Sequence, residues 1–80
     1  MKTVITVLAE GFEELEAIAP IDLLRRAGAR VDVVGLENAE AVTSKNGVIV
    51  LPDAALADKA DEDYDLVFIP GGPSHLAMME

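Results

Sequence analysis

The spacing of apolar positions changes twice within the first 36 residues. Residues 3–9, TVITVLA, form a short apolar run without polar alternation, which is typical of a strand covered on both faces of a parallel sheet. From Leu15 to Ala27 the apolar residues recur every three or four positions, and Gly28 follows as a helix stop signal. Residues 30–36, RVDVVGL, are extended again. This order predicts a right-handed βαβ unit within about 35 residues and a sheet that is parallel at its centre.

Pro20 interrupts the first predicted helix. It has no N–H for the carbonyl of Glu16, so it lies in the opening turn or leaves that carbonyl without its helical partner. We therefore expect the helix to begin near Glu16.

The second half of the chain predicts a hairpin and a further strand. Asn46-Gly47 separates two β-prone runs within residues 41–51, which predicts a type I′ turn. The acidic stretch DKADEDYD predicts a loop with one helical turn. LVFIP at residues 66–70 predicts a buried strand that ends at a pair of glycines.

Charge and composition restrict the partners and the compartment. The chain has 80 residues, 51% of them hydrophobic, and a net charge of -9 with six Lys and Arg in all. This acidic balance argues against binding to nucleic acid or to an anionic membrane surface. No apolar run approaches the roughly 20 residues of a membrane span, and the start turns acidic too early for a secretory signal. We expect a cytoplasmic protein.

The small number of predicted strands indicates that a part of the fold is not contained in this sequence. An open parallel sheet needs flanking helices and usually about five strands, which is more than 80 residues supply. The sequence contains no cysteine, which excludes disulfides, thiolate metal sites and a cysteine nucleophile within these residues. We expect residues 1–80 to be the first part of a larger α/β domain.

Candidate chemistry lies where predicted strands end. Gly71 and Gly72 follow a buried strand, where glycine lets a ligand approach the backbone N–H groups; a phosphate cradle, an oxyanion hole and an ordinary tight turn remain open. Glu13 and Glu14 suit the positive end of a helix dipole. Glu16 follows the first strand, and burial in the crevice there would raise its pKa. A protonated carboxyl group could donate a hydrogen bond as well as accept one.

Other charged groups have simpler interpretations. The segment DEDYD at 61–65 begins like a calcium loop, but the sixth position is not Gly and the twelfth is not Glu, so we expect no metal site. His75 is the single imidazole and is interpreted as a helix-end or surface residue. Arg25 and Arg26 suit the negative end of the helix dipole, with an anion-binding or subunit contact as the second possibility.

Three segments carry a resemblance to a known family. LAEGFEELEAIAPIDLLRRAGARVDVVGL, NGVIVLPDAAL and YDLVFIPGG closely resemble the opening half of the ThiJ/PfpI superfamily in order and approximate spacing, and they cover nearly the whole chain. The resemblance implies a flavodoxin-like α/β three-layer sandwich with a mostly parallel sheet, here incomplete. It also implies a homodimer, no cofactor, and a reactive cysteine on a strand-to-helix elbow beyond residue 80. Residues 1–80 would thus be the amino-terminal part of one ThiJ/PfpI domain.

The resemblance implies roles for three residues at the strand ends. Glu16 matches the family's carboxyl group that hydrogen-bonds the cysteine. Gly72 matches the backbone N–H donor of the oxyanion site, and Gly71 precedes it as a substrate-binding position. Two of the three glutamates would then lie at the surface, and the third would face the thiolate.

Glu13 and Arg26 match positions near the site or the dimer contact. Asn46 stands where some relatives carry an arginine at the subunit contact, which argues against a charge pair with Glu13 across the dimer unless Lys45 substitutes. His75 does not match the family's downstream histidine.

The resemblance implies a cysteine-dependent enzyme that acts on small 2-oxoaldehydes, similar to glyoxalase III or to deglycases. Glu16 would be the general acid and base, and the N–H of Gly72 would stabilise the oxyanion. The 80 residues alone would be inactive because the nucleophile is missing. The alternatives are a non-enzymatic sensor of oxidative stress or chaperone with the same site, and the intracellular cysteine peptidase branch.

Overall fold

A computed structural model describes residues 2–71. Its elements in chain order are β1 (Thr3–Leu8), α1 (Glu14–Arg26), β2 (Arg30–Gly35), β3 (Val42–Thr43), β4 (Ile49–Val50), β5 (Ala54–Ala55), α2 (Leu56–Lys59) and β6 (Leu66–Phe68). One sheet has the order β5-β2-β1-β6 with every pair parallel, and β3 and β4 form a separate antiparallel pair. The predicted α/β class and the parallel centre are confirmed.

The central strand β1 is covered on both faces. Alternate residues of β1 point to opposite sides of the sheet, and five of its six residues are buried. On one face Val4 and Leu8 pack with Ala17 and Ile21 of α1. On the other face a smaller cluster contains Ile5, Val7 and Val34, with Leu56 and Tyr64 packed against it. This double burial explains why β1 has no polar alternation.

Helix α1 ends as the sequence predicts. Gly28 has a φ of 95°, a conformation that costs an L residue with a Cβ atom about 1 to 2 kcal/mol. The N–H of Gly28 donates to the carbonyl of Arg25, and the N–H of Ala29 donates to the carbonyl of Leu24. These two bonds form a Schellman motif, which satisfies carbonyls at the helix end.

Helix α1 begins earlier than expected. Its first residue is Glu14 rather than one near Glu16, so Pro20 lies inside the helix and not in the opening turn. The N-cap residue Glu13 has no capping bond from its side chain. Instead its backbone N–H donates to the carbonyl of Gly71 at 2.8 Å, a contact from the far end of the described chain. This long-range bond holds the N-cap residue in place, and no local sequence pattern predicts it.

The hairpin β3–β4 is present, but its predicted type I′ turn is wrong. Among residues 2–71 no residue other than glycine has a positive φ, so Asn46 does not adopt the conformation that a type I′ turn requires. The N–H of Gly47, whose φ is 87°, donates to the carbonyl of Ser44, and Ser44 pairs in turn with Val48. The loop therefore has three residues and needs positive φ only at Gly47.

The region after the hairpin differs from expectation in two places. Residues 54 and 55 form the short strand β5 beside β2, which the sequence pattern did not indicate. β6 is shorter than the predicted 66–70, and Leu66 and Val67 are 49% and 59% exposed rather than buried. Within the described chain β6 pairs with β1 alone, so its outer edge is uncovered. The expected helical turn is present as α2, but it begins at Leu56 and overlaps only the first two residues of the acidic stretch.

Candidate functional site

The candidate site lies where the sheet changes direction. β1 has β2 on one side and β6 on the other, while α1 connects β1 to β2. In open parallel sheets the crevice outside the carboxyl ends of two such strands is the usual place for a ligand. Here the first turn of α1 follows β1, and Gly71 follows β6.

Gly71 and the start of α1 are joined by two hydrogen bonds. The N–H of Gly71 donates to Oε1 of Glu16 at 3.2 Å. The carbonyl of Gly71 accepts from the N–H of Glu13 at 2.8 Å. The structure thus brings together three residues that the sequence singled out, Glu13, Glu16 and Gly71. Gly72 and His75 lie outside the described residues.

Glu16 reaches the tip of β6 without being buried. The residue is exposed among residues 2–71, so the burial that the sequence analysis expected is not provided by the described chain. Its carboxylate nevertheless turns toward the strand end and not into open solvent, because Oε1 accepts the bond from Gly71. The position agrees with an acid at the edge of a crevice.

Glu13 forms an ion pair within the chain. Its Oε1 lies 3.0 Å from Nζ of Lys45 in the hairpin loop. The hydrogen bond to Glu13, then the charges of Glu13, Glu14 and Glu16, raise the pKa of Lys45. Lys45 therefore serves as a cation for Glu13, as the sequence suggested, but the pair lies inside one chain.

Glu14 contacts the same hairpin through a hydroxyl group. Oγ of Ser44, a buried residue, donates to Oε1 of Glu14 at 3.1 Å. A hydrogen bond from its own backbone N–H, followed by those from Ser44 and Asn46, lowers the pKa of Glu14. Ser44 was not among the candidates predicted from the sequence. The available signal was its place three residues before the loop glycine Gly47, since serine in a turn can bond to the turn backbone.

The two arginines lie at the far end of α1. Arg26 is ten residues beyond Glu16, about 15 Å along the helix axis, and its Nε pairs with Asp22 at 3.0 Å. Arg25 donates to the carbonyl of Val31 at 2.8 Å. Both lie in the last turn, where cations favour the helix dipole. The structure does not bring Arg26 to Glu16.

The described chain offers neither a metal-binding cluster nor a membrane-spanning helix. No group of three or more metal-binding side chains lies together within residues 2–71. In the same range no helix has the length and apolar character to cross a membrane.

A four-stranded parallel sheet with a crevice at its switch point defines the class of open, doubly wound α/β domains. The model of the DJ-1/PfpI family matches residues 2–80, and the chain belongs to that family.

Relatives of known structure support this assignment. The chain is 46% identical over 71 residues to protein dj-1beta of Drosophila melanogaster, covering 89% of the chain and 38% of the relative. The crystal structure of that protein aligns with a TM-score of 0.92 at 44% identity, over 98% of this chain and 42% of the other. The structure of oxidized DJ-1 from Toxoplasma gondii aligns with a TM-score of 0.89 at 40% identity, over 92% and 40%.

A further relative is the Parkinson disease protein 7 homolog of Danio rerio, 42% identical over 72 residues, or 89% of this chain and 38% of the relative. The chain therefore spans about two fifths of the length of the relatives that it matches.

Proposed function

We propose that these residues are the amino-terminal part of a cysteine-dependent cytoplasmic enzyme that converts small 2-oxoaldehydes to 2-hydroxy acids. The observation that carries the proposal is the Glu16 carboxylate, held by the N–H of Gly71 at the carboxyl end of β6. A carboxyl group fixed at that edge can exchange protons with a substrate bound in the crevice. The chain covers about two fifths of its relatives' length. The nucleophilic cysteine belongs to the remaining three fifths, which would complete the domain.

The proposed reaction is balanced by water alone. The thiolate adds to the aldehyde carbon, and the resulting alkoxide takes a proton to give a hemithioacetal. Glu16 removes the hydrogen on that carbon as a proton and returns a proton to the neighbouring carbon. The hydroxyl proton of the hemithioacetal passes to the ketone oxygen, so the ketone becomes an alcohol and the first carbon a thioester. Gly72 supplies an N–H to the developing oxyanion, and Gly71 contributes the adjacent wall of the substrate site. Water then cleaves the thioester, releasing lactate from methylglyoxal and restoring the thiolate.

The exposed apolar surface supports a homodimer as the working form. Leu15 and Ile18 of α1 are 81% and 43% exposed, and Ile49 and Leu51 of the hairpin are 65% and 78% exposed. Ile18 and Leu51 line one groove. Exposed apolar residues around a shared groove are typical of an interaction site. We place Glu13 and Asn46 at the edge of this contact, and Arg26 at its far end on α1.

The test is to replace Glu16 in the full-length protein. We expect Glu16→Gln to lower the kcat for methylglyoxal by about 10² to 10⁴, the usual contribution of a general acid and base. Glu40→Gln makes the same chemical change at an exposed loop residue and should leave kcat unchanged. Turnover by Glu16→Gln equal to that of the wild type would remove the assigned role.

A redox sensor is the second candidate. The similar Toxoplasma gondii structure is described as oxidized, which favours a site that holds an oxidised form. Here the Glu16 carboxyl group would stabilise a cysteine sulfinate rather than a reaction intermediate. Mild peroxide treatment followed by intact mass measurement separates the two: a sensor gains two oxygen atoms stably and consumes no aldehyde with saturable kinetics.

A further inference from the structure

Gly71 has both of its backbone groups engaged by the start of α1. Its carbonyl accepts from Glu13 and its N–H donates to Glu16, as described above. The N–H, which has a single proton to donate, is not left to bind a substrate atom while its bond to Glu16 persists. The function of Gly71 must therefore be sought in what it does to its neighbours.

The absence of a side chain at Gly71 is not required by its backbone. The glycines with positive φ in the described chain are Gly11, Gly28 and Gly47, and Gly71 is not among them. What requires glycine is Glu16, because a Cβ atom built on Gly71 would lie 2.5 Å from Oε1 and 3.4 Å from the carboxyl carbon. Real Cβ atoms essentially never approach an oxygen at the shorter distance.

We propose that Gly71 is a positioning residue, which holds Oε1 of Glu16 on its N–H and leaves Oε2 as the oxygen that transfers the proton. This inference rests on the proposed function, since it assigns the two oxygens of the same catalytic acid. Glycine is selected here because only a residue without Cβ lets the carboxylate reach the backbone N–H. The contact also fixes the distance between the first turn of α1 and the tip of β6.

An alanine at this position should separate catalysis from folding. The atom in conflict is the end of a flexible, exposed side chain, so Glu16 can rotate away at little cost in stability. The carboxylate is then displaced from Gly71 by about 1 Å or more, and a misplacement of that size costs about 10² in rate. Substrate binding does not depend on this bond, so KM should change little.

The experiment is a double-mutant cycle in the full-length protein. Gly71→Ala is expected to lower kcat about 100-fold, with an unchanged melting temperature. In the Glu16→Ala background the same change should cause no further loss, because the displaced group is gone. Gly47→Ala is the control, since it places a Cβ atom on a loop glycine with a φ of 87° and should lower stability without lowering kcat.

A second readout keeps this inference separate from the proposed reaction. In ¹H–¹⁵N spectra the amide of residue 71 should shift on ionisation of Glu16 in the wild type, and this shift should vanish in Glu16→Ala and shrink in Gly71→Ala. If methylglyoxal is not turned over, the proposed function fails. The NMR spectra then still test whether Gly71 positions the Glu16 carboxylate. The inference is overturned if the chemical shift of the Gly71 amide does not respond to Glu16. It is also overturned if the losses of kcat in the double-mutant cycle are additive.

Discussion

Tyr64 occupies an acidic environment on the second face of the sheet. Its hydroxyl donates to Oδ2 of Asp32 at 2.7 Å, and the Arg30 guanidinium lies 5.9 Å from the ring centroid. Burial first, then the hydrogen bond to Asp32 and its charge, raise the pKa of Tyr64 to about 12. The fold therefore stabilises the neutral phenol.

We expect Tyr64 to contribute stability that is lost in alkali. Because its pKa is about 12 when folded and 10.0 when unperturbed, its contribution is complete below pH 10 and falls as the pH rises to about 12. Urea unfolding of the wild type and of Tyr64→Phe across this range measures the difference. The wild type should be more stable at neutral pH by about 1.5 to 3 kcal/mol, the usual value of a hydrogen bond to a charged group. A difference that stays constant up to about pH 12 would contradict this assignment.

The three glutamates at the start of α1 show how much about a single residue can be predicted from the sequence. The sequence itself places all three at the start of the helix, and the resemblance singles out Glu16 for a distinct role, which stays a prediction. The partners Ser44 and Gly71 could not be predicted, because they come from segments 30 and 55 positions away along the chain, whereas Lys45 was suggested by the resemblance. Contacts at such separation depend on the packing of strands, which local patterns do not describe.

At the scale of elements, the hairpin is fastened along the connection between β1 and α1. The N–H of Gly11 donates to the carbonyl of Thr43, and the N–H of Lys45 donates to the carbonyl of Phe12. Ser44 adds its hydroxyl, which accepts from the N–H of Val48 at 2.9 Å and donates to Glu14. The hairpin thus supports the turn from which Glu16 projects.

We expect Ser44→Ala to loosen this support. Loss of the hydroxyl should lower the free energy of unfolding by about 1 kcal/mol and return the pKa of Glu14 toward its usual value. Since the pKa of Glu14 is lowered in the fold, its contribution is present above pH 4.5 and is lost as the pH falls through the folded value. The free energy of unfolding of the wild type should therefore exceed that of the variant by more at pH 7 than at about pH 3.

Urea unfolding at both pH values is the measurement for Ser44. Lys45→Gln is the matched change next to it, and it should have a smaller effect because the ion pair of Lys45 is largely exposed. If both variants lose the same free energy of unfolding, the Ser44 hydroxyl has no special part in holding the hairpin against the start of α1.

Elements with a clear sequence pattern were predictable, and β5 was not. β1 is an apolar run, β2 is rich in valine and α1 has helical spacing, and the types and approximate bounds of these three elements are confirmed. β5 has two alanines and only forms because β2 offers an open edge, so no pattern encodes it. The turn type was missed because Asn46-Gly47 fits a two-residue and a three-residue loop alike, and Ser44 decides between them.

At the scale of the molecule, the apolar surface of α1 and the hairpin should decide the oligomeric state. We expect Leu51→Asp to convert a dimer of the full-length protein to a monomer, because a charge would be buried in the contact without a partner. Leu51→Met keeps the apolar character and should remain dimeric. Sedimentation equilibrium measures both; a dimeric Leu51→Asp variant would place the contact elsewhere.

That residues 1–80 are the first part of a larger α/β domain stays a prediction. It rests on the number of strands, which is too small for an open sheet, and the chain covers 38% to 42% of the first relatives that it matches. What composition could not show is where the open surfaces lie. That follows from the strand order, which leaves β6 at an edge with Leu66 and Val67 uncovered.

The clasp between Thr3 and Asp65 has a consequence for engineering. Asp65 Oδ2 accepts from the Thr3 N–H at 2.8 Å, and the Asp65 N–H donates to the Thr3 carbonyl at 2.9 Å, so β6 enters the sheet at a fixed height beside β1. We expect insertions upstream, in the acidic turn at 60–63, to be absorbed before these two bonds are reached. A peptide tag in that turn should leave the spacing of the crevice intact, whereas one residue added between 65 and 71 should displace it by a full strand step of about 3.3 Å.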